Sequence, residues 1–318
     1  EDGEQTLQGK NILLAAGSVA VELPHIPFDG DRVGQARDAL SYSEVPDHLV
    51  VVGAGYIGLE LGSVWLRLGA KVTVVEMLDQ ILPNADVEVA VQLRKSLEKQ
   101  GMTILTGTKV AEVVNGDTLT VKTEGKHNDE ISCDRVLVAT GRRPCTEDLG
   151  LDDAGIRLNR QKQIDVDDNY ATSKPGVYAI GDLIHGPMLA HKAMDEGVGF
   201  VERLLGRQSE IDYDLIPGIM YTMPELAAVG ATEEQLKENG IDYQVGKFPF
   251  MASGRARCMD EAEGMVKVLA APGSGHILGV HIMGPKASEL IAEAVSIMAF
   301  DGSVEDVELI MHPHPTFS

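Results

Sequence analysis

The chain has 318 residues, which is enough for two or three domains. Its 49 acidic and 27 basic residues give a formal net charge of −22, which argues against nucleic acid or an anionic membrane as a partner. Apolar runs are too short to span a bilayer, and we recognise no signal peptide. The three cysteines, Cys133, Cys145 and Cys258, are too far apart for a disulfide framework or a zinc pattern. The sequence therefore predicts a cytoplasmic protein without a metal site.

Both ends of the sequence suggest interruptions within a longer chain. The first residues are polar and lack an initiator methionine, and the last residues include no polar tail. We therefore expect an internal fragment of a longer protein.

A short buried strand is predicted at residues 11–14, followed by a turn of small residues at 16–18. Such a turn can bring backbone close to a nucleotide, although a tight loop without a ligand is an equally good interpretation. Residues 21–31 contain two prolines and several glycine or aspartate residues, which is typical of a connection.

A glycine-rich unit follows and dominates the prediction. Residues 49–52 form a continuous apolar run, typical of a strand buried on both faces of a parallel sheet. Gly53, Gly55 and Gly58 then give the pattern G-x-G-x-x-G, which allows a tight turn, close approach of a pyrophosphate and close helix packing. A helix is expected at 56–68, with its positive dipole end directed at the phosphates. The alternative is a tight packing site between helix and strand that binds nothing.

An acidic residue ends the next predicted strand, residues 71–75. Glu76 lies about 20 residues after the glycines, where a carboxylate accepts a hydrogen bond from the adenosine ribose 2′-hydroxyl. The same charge repels a 2′-phosphate, so the sequence favours NAD over NADP. Glu60, one turn into the helix, does not fit a phosphate site. It is either a solvated charge or a paired charge that faces a neighbouring domain.

The pattern continues as a dinucleotide-binding domain. We predict a helix at 86–100, a strand at 102–105, a hairpin at 109–122 with its turn at 115–116, and a buried strand at 135–141. Alternating strands and helices indicate a parallel sheet.

Residues 176–182 form another apolar strand, which ends in Asp182. Because α/β folds bind ligands at the carboxyl ends of strands, Asp182 is a candidate ligand contact. It is equally interpretable as the N-cap of the next helix, expected at 188–205. His191 in that helix has the features of an ordinary surface residue.

The C-terminal part is predicted to be an α+β domain with an antiparallel sheet. Few helices separate its strand-like runs, which lie at 218–222, 226–229, 243–250, 265–269 and 277–283. An apolar helix face follows, made by Leu290, Ala294, Ile297 and Met298, and Ser303 begins another helix.

Two histidines alternate with two prolines at the end of the chain. Each proline stiffens the backbone, so His312 and His314 are held on a rigid segment. An imidazole has a pKa of about 6.5 and is a candidate general base. A metal-binding tract and an ordinary loop remain alternatives.

Several stretches together carry a family resemblance. They are GAGYIGLELGSVWLRLGAKVTVVE, ATGRRP, GDLIHGPMLAHKAMDEG, YTMPELAAVG and HPHPT. The chain resembles the dihydrolipoyl dehydrogenase family of flavin-dependent pyridine nucleotide-disulfide oxidoreductases. The resemblance implies an α/β fold with a Rossmann-like NAD domain at 19–144, the end of an FAD domain at 1–18, a central FAD-contacting domain at 145–214 and an α+β dimerisation domain at 215–318.

The resemblance also implies two cofactor sites and a base. His314 would be the active-site base, and in relatives Glu60 pairs with a lysine beside the flavin that is absent here. Ala16 departs from the family, which has threonine there. The residues implied for NAD are Gly53, Ala54, Gly55, Tyr56, Ile57, Gly58, Leu59, Glu60, Glu76, Val110 and Gly141, and those implied for FAD are Ala16, Gly17, Ser18, Asp182, Met188, Leu189, Ala190 and His191.

The implied activity is oxidation of dihydrolipoamide on a lipoyl domain of a 2-oxoacid dehydrogenase complex, with electrons passing through FAD to NAD. A homodimer through the C-terminal domain is implied as well, with the helix face at 290–298 in its interface. The family's first FAD-binding unit and its two cysteines separated by four residues are not in this chain. We therefore expect the fragment alone to be inactive, and we interpret Cys133 and Cys258 as small buried or half-buried side chains.

Two other functions are compatible with the same residues. One is a different pyridine-nucleotide flavoenzyme of the transhydrogenase or mercuric reductase type. The other is a non-catalytic module that binds NAD or a protein partner.

Overall fold

The computed structural model describes residues 6–207 and 209–318. They fall into two compact units. The smaller unit contains the residues up to Val21 and Arg142–Tyr213, and the larger unit contains Glu22–Gly141 and Asp214–Ser318.

The described residues form strands and helices that we number in chain order. The strands are β1 (Ile12–Leu14), β2 (Ser18–Ala20), β3 (Val33–Gly34), β4 (His48–Val52), β5 (Lys71–Val75), β6 (Thr103–Leu105), β7 (Thr108–Val114), β8 (Leu119–Gly125), β9 (Glu130–Cys133), β10 (Arg135–Val138), β11 (Arg142–Pro144), β12 (Val177–Ala179), β13 (Gly218–Met220), β14 (Glu225–Gly230), β15 (Gln244–Pro249), β16 (Met265–Ala270) and β17 (Ile277–Gly284). The helices are α1 (Ala36–Ala39), α2 (Tyr56–Leu68), α3 (Val87–Lys99), α4 (Leu151–Ala154), α5 (Ala190–Leu204), α6 (Glu233–Glu238), α7 (Gly254–Cys258), α8 (Ala287–Ala299) and α9 (Val304–Leu309).

A parallel sheet of strand order β3-β10-β4-β5-β6 organises the first part of the larger unit. Alternate residues of β4 point to opposite faces, as in any strand. Leu49 and Val51 pack with α2 and α3, whereas Val50 and Val52 pack against the antiparallel sheet β7-β8-β9. Both faces are buried, which explains the continuous apolar run that the sequence shows here.

An antiparallel sheet of order β13-β14-β17-β16-β15 forms the rest of the larger unit. Helix α8 lies on this sheet and buries Ile291 and Met298 in its core. Leu290, Ala294 and Ile297 of the same helix are partly buried and line an apolar cavity of about 640 Å³. Part of the predicted helix face is thus buried within the chain, and its place in a dimer interface stays a prediction.

A buried ionic cluster in the larger unit joins α3 and α6 to strand β16 of the antiparallel sheet. Asp86 caps α3 by accepting hydrogen bonds from two backbone N–H groups of the first turn. Lys267 of β16 donates to Asp86 at 2.8 Å and to Glu233 of α6 at 2.6 Å. The side chains of Lys267 and Asp86 are both 0% exposed. The ammonium group of Lys267 therefore pairs with carboxylates from two different parts of the larger unit.

The smaller unit has two short sheets and one long helix. Strand β1 pairs with β12 in parallel, and β2 pairs with β11 in antiparallel orientation. In α5, Lys192 and Glu196 form a fully buried ion pair at 3.0 Å. Glu196 also accepts from the N–H of Gly181 at 2.6 Å and from the hydroxyl of Tyr213 at 2.6 Å. This network fixes the backbone just before Asp182.

The predicted fold class is confirmed, because a parallel α/β sheet is followed by an antiparallel α+β region. Four local predictions are wrong. Strand β1 is not buried, because Ile12 is 48% and Leu13 is 37% exposed. The N-cap of α5 is Leu189, not Asp182, and that helix begins at Ala190. Cys258 is exposed, whereas Cys133 is buried and its burial raises the pKa of its thiol to about 12.

Residues 6–207 and 209–318 contain no helix that is long and apolar enough to cross a membrane. Within the same residues, no three His, Cys, Asp or Glu side chains are grouped so that they could hold a metal ion.

Candidate nucleotide-binding site

The three glycines after β4 have different roles in the structure. Gly53 has φ +103°, and a Cβ there would lie 2.6 Å from the carbonyl oxygen of Ala139. A Cβ at Gly58 would overlap the carbonyl oxygen of Gly53. A Cβ at Gly55, in contrast, would meet nothing within 4 Å. Gly53 and Gly58 are therefore needed by the fold, whereas the space above Gly55 is open to a ligand.

The helix that follows is suited to an anion. Gly55 is the N-cap of α2, and in the described part of the chain no side chain caps this helix and no acid lies in its first turn. Its first N–H groups and dipole are thus directed at the open space above Gly55. A pyrophosphate fits this position by both shape and charge.

Glu76 is held beside the glycine turn by its own hydrogen bonds. The residue is 9% exposed, and one carboxylate oxygen accepts from the N–H of Ala54 at 2.7 Å. The other oxygen accepts from the N–H of Leu78 at 2.8 Å. A carboxylate has about four acceptor positions, so two remain for ribose hydroxyls.

Glu60 matches only part of one of its two sequence interpretations. Its carboxylate accepts from the N–H of Tyr221 at 2.8 Å, at the end of β13. Burial raises the pKa of the Glu60 carboxyl, and this hydrogen bond opposes the shift. Within the described residues no cation pairs with it. The side chain thus faces a neighbouring element of the same unit, but as a hydrogen-bond acceptor and not as half of an ion pair.

The other residues implied for NAD are mostly buried, with Gly141 as the exception. Ala54 and Leu59 are fully buried in the core, and Tyr56 and Ile57 pack against it. The side chain of Val110 is also buried, so Val110 could contact a ligand only through its main chain. The carbonyl oxygen of Val110 lies 3.1 Å from the ring of His25. Gly141 has φ +137°, and a Cβ there would meet nothing within 4 Å.

Ser18 and Asp182 meet in the smaller unit although 164 positions separate them. The hydroxyl of Ser18 donates to Asp182 at 2.5 Å, and Arg142 donates to the same hydroxyl at 2.7 Å. A further bond from Arg142 reaches the carbonyl oxygen of Ser18 at 2.6 Å. Arg142 was missed as a site residue, although the stretch ATGRRP that contains it was noted. Gly17, with φ +72° and no atom near its missing Cβ, leaves open space beside this group.

The remaining residues implied for FAD lie on or near the surface. Ala16 is exposed. Met188 and Leu189 are half-buried immediately before α5, and Ala190 and His191 are exposed in its first turn. They therefore form one short segment at the N-terminus of α5.

At the end of the chain, the histidine that pairs with an acidic side chain is His312 and not His314, which was predicted to be the base. His312 makes a hydrogen bond to Glu293 of α8 at 2.5 Å, and this carboxylate raises the pKa of His312. His314 is exposed, and both histidines line the apolar cavity beside α8. Glu293 was missed, because nothing in the sequence connects position 293 with position 312.

Comparison with known proteins defines the class to which this fold and site belong. The model of the pyridine nucleotide-disulphide oxidoreductase family matches residues 1–197, and that family's dimerisation domain matches residues 216–318. The chain therefore belongs to the pyridine nucleotide-disulphide oxidoreductases.

Individual relatives narrow the resemblance. The chain is 49% identical to dihydrolipoyl dehydrogenase 1, mitochondrial, of Arabidopsis thaliana, a match that covers 100% of this chain and 64% of the relative. It is also 49% identical to dihydrolipoyl dehydrogenase 3 of Pseudomonas putida, of which it covers 69%. Among solved structures, the flavoprotein disulfide reductase RclA of Escherichia coli superposes with a TM-score of 0.90 at 28% identity, over 98% of this chain and 70% of that one.

The chain thus spans about two thirds of the length of these relatives. The prediction of a cytoplasmic protein is wrong, because relatives from three organisms are named as mitochondrial. Sparse cysteines indicate a reducing environment, and that does not identify one compartment.

Proposed function

We propose that this chain is part of a dihydrolipoyl dehydrogenase, which oxidises dihydrolipoamide on a lipoyl domain of a 2-oxoacid dehydrogenase complex and transfers hydride through FAD to NAD. The observation that carries the NAD part is the bond between the Glu76 carboxylate and the N–H of Ala54, which joins the sugar-binding acid to the phosphate-binding turn. The names of the relatives favour this activity over a transhydrogenase or mercuric reductase.

The NAD-binding residues act by position and charge. The N-terminus of α2 would hold the pyrophosphate above Gly55, and Glu76 would accept from the ribose 2′-hydroxyl. A 2′-phosphate would bring two negative charges against the nearly buried Glu76 carboxylate. NAD is therefore preferred over NADP.

The smaller unit supplies contacts that suit a flavin. When bound, FAD supplies the electron relay between thiols and nicotinamide. The Asp182 carboxylate could accept hydrogen bonds from hydroxyl groups of a ligand. It is oriented by the hydroxyl of Ser18, which in turn accepts a hydrogen bond from Arg142. The open space at Gly17 allows the backbone to approach such a ligand closely.

His314 would take the proton from a substrate thiol and so generate the thiolate that reacts with a disulfide. Its exposure makes it accessible to a large substrate such as a lipoyl domain. The proposed homodimer uses the C-terminal region, in line with the dimerisation-domain match. We also propose the domain division 1–18, 19–144, 145–214 and 215–318, and the dimerisation-domain match at residues 216–318 supports the last of these domains.

The test of the NAD part is a fluorescence titration of the 318-residue chain with NADH and NADPH. We expect NADH to bind more tightly. Equal binding of the two, or tighter binding of NADPH, would overturn the proposal.

The dehydrogenase part has its own tests. No two cysteines of this chain are separated by four residues. We therefore expect the chain supplied with FAD to form no NADH from dihydrolipoamide, and turnover would show that the redox pair is not required. Sequencing the coding region upstream of residue 1 should reveal two cysteine codons separated by four. A redox pair with any other spacing would argue against the lipoamide enzyme.

A further inference from the structure

Both main-chain polar groups of Gly181 are held by side chains of α5. The N–H of Gly181 donates to a carboxylate oxygen of Glu196 at 2.6 Å, and the ammonium group of Lys192 donates to the carbonyl oxygen of Gly181 at 2.9 Å. Lys192 and Glu196 lie one helical turn apart and form their own ion pair at 3.0 Å. We call these two side chains the Gly181 clamp.

The clamp takes over where the strand before it ends. β12 ends at Ala179, and the N–H of Ile180 still donates to Leu14 of β1 at 3.1 Å. Gly181 then turns with φ +70°, and a Cβ there would lie 3.3 Å from Cβ of Ala193 in α5. Buried main-chain groups need hydrogen-bond partners, and the Gly181 clamp supplies them at this turn.

Stability alone does not account for two charges at this place. Both side chains of the Gly181 clamp are 0% exposed. Removing two charges from water costs about as much as their pairing returns, and apolar side chains of similar size often replace such pairs without loss. Charged donors and acceptors do form short and strong hydrogen bonds, which fix direction. The Gly181 clamp therefore orients the backbone more than it stabilises the smaller unit.

A third side chain fixes the acid of the clamp. The hydroxyl of Tyr213 donates to the second carboxylate oxygen of Glu196 at 2.6 Å, and the ring centre of Tyr213 lies 5.9 Å from the ammonium group of Lys192. Burial, followed by the bond to Glu196, raises the pKa of the Tyr213 hydroxyl, so this hydroxyl stays protonated and donates. Each oxygen of Glu196 therefore has a partner, and the carboxylate is held in one orientation.

Asp182 follows the clamped peptide directly. Its carboxylate accepts from the hydroxyl of Ser18 at 2.5 Å, so its side chain and the backbone before it are both held. We propose, on the basis of the proposed flavin site, that Lys192 and Glu196 are positioning residues, which fix the Asp182 carboxylate where it accepts hydrogen bonds from hydroxyl groups of the flavin. Because both are fully buried, they act through Asp182 and not by contact with the ligand.

The experiment measures FAD binding to the 318-residue chain by the quenching of flavin fluorescence. The variant Lys192→Met/Glu196→Gln removes the bond from Lys192 to Gly181 and leaves no unpaired buried charge. We expect it to bind FAD about tenfold more weakly, the effect of one hydrogen bond to a charged group, and to keep the far-UV circular dichroism of the wild type.

Tyr213→Phe is a milder second variant. It keeps both charges and removes one bond to Glu196, so we expect FAD to bind about threefold more weakly. Should the double variant fail to fold, Tyr213→Phe undergoes the same comparisons.

Asp182→Ala separates positioning from support of the fold. It removes the carboxylate that the clamp orients, so in this background Lys192→Met/Glu196→Gln should weaken FAD binding less than about twofold. A purely structural effect would weaken binding by the same factor in both backgrounds, and that result would overturn the inference.

Arg94→Met/Glu98→Gln is the matched control. It replaces another ion pair between residues four apart on a helix, at 2.8 Å in α3, and it also removes one positive and one negative charge. We expect FAD binding to stay unchanged. An equal loss in the control, or no loss in either clamp variant, would overturn the inference. Failure of the wild-type chain to bind FAD would instead reject the proposed flavin site.

Discussion

Replacing Lys267 by methionine should destabilise the larger unit strongly. Its ammonium group lies 2.8 and 2.9 Å from the two oxygens of Asp86 and 2.6 Å from Glu233, and its side chain is fully buried. Methionine fills most of the same volume but leaves the buried Asp86 carboxylate without its cation. Removing one partner of a buried pair costs about 3–5 kcal/mol, so we expect a loss of this size in the free energy of unfolding.

The pH dependence gives this prediction a second test. Burial is the largest single influence and raises the pKa of the Asp86 carboxyl, but Lys267, His281 and the N–H of Glu233 together outweigh it, so the net shift is downward. The bonds from Lys237 and Lys267 lower the pKa of Glu233 from 4.5 to about 2. Carboxyls with a lowered folded pKa stabilise the fold above their ordinary pKa and lose this effect as the pH falls through the folded value. The difference between the wild type and Lys267→Met should therefore narrow as the pH falls from 4.5 towards 2.

The assay is urea unfolding at pH 7, followed by fluorescence of Trp65 in the core of the larger unit. The matched control is Lys247→Met, since Lys247 pairs with Glu88 at 2.7 Å but is 44% exposed and should cost less than about 1 kcal/mol. Asp86→Asn in the Lys267→Met background should recover part of the loss, because asparagine keeps the cap of α3 without a buried charge. A loss no larger for Lys267→Met than for Lys247→Met would refute the reasoning.

Three further predictions concern the nucleotide site and the chain end. Gly55→Ala should weaken NADH binding about tenfold with little change in melting temperature. Gly53→Ala should lower the free energy of unfolding in urea by about 1–3 kcal/mol, because alanine would be strained at the backbone angles of this position. Glu76→Gln should weaken NADH binding about tenfold in the fluorescence titration and reduce the preference over NADPH; an unchanged preference would contradict its role. Glu293→Gln should lower the pKa of His312 towards about 6.5 in an NMR titration of the imidazole signals, and a constant pKa would show that the carboxylate does not act on it.

Local patterns in the sequence predicted the dinucleotide unit closely. The predicted helix and strand at 56–68 and 71–75 agree with α2 and β5 at both ends. Glycines mark the limits of this helix, and apolar residues fill the strand, so neighbouring residues carry the information. Hairpin ends were less accurate: β7 and β8 leave a wider turn than residues 115–116, because several polar residues there are compatible with either structure.

Contacts between distant residues were not predictable from a single sequence. The bond between Ser18 and Asp182, the pairing of His312 with Glu293 and the burial of Lys267 all depend on how elements pack. Lysine is almost never fully buried unless it is paired, and its partners here are distant in sequence. The burial of Lys267 could therefore not be predicted from its place in an alternating strand. The site residues implied by family resemblance therefore remain predictions, and the structure adds the partners that orient them.

The two backbone bonds of Glu76 have a consequence for redesign of cofactor use. Exchanging this residue for a small neutral one would remove a repulsive charge, but it would also leave the buried N–H of Ala54 without its acceptor and remove the bond to the N–H of Leu78. Evolution towards NADP in this scaffold would then require a substitute acceptor before any new cation became useful. Cofactor selectivity and the shape of the glycine turn thus depend on the same side chain and would change together.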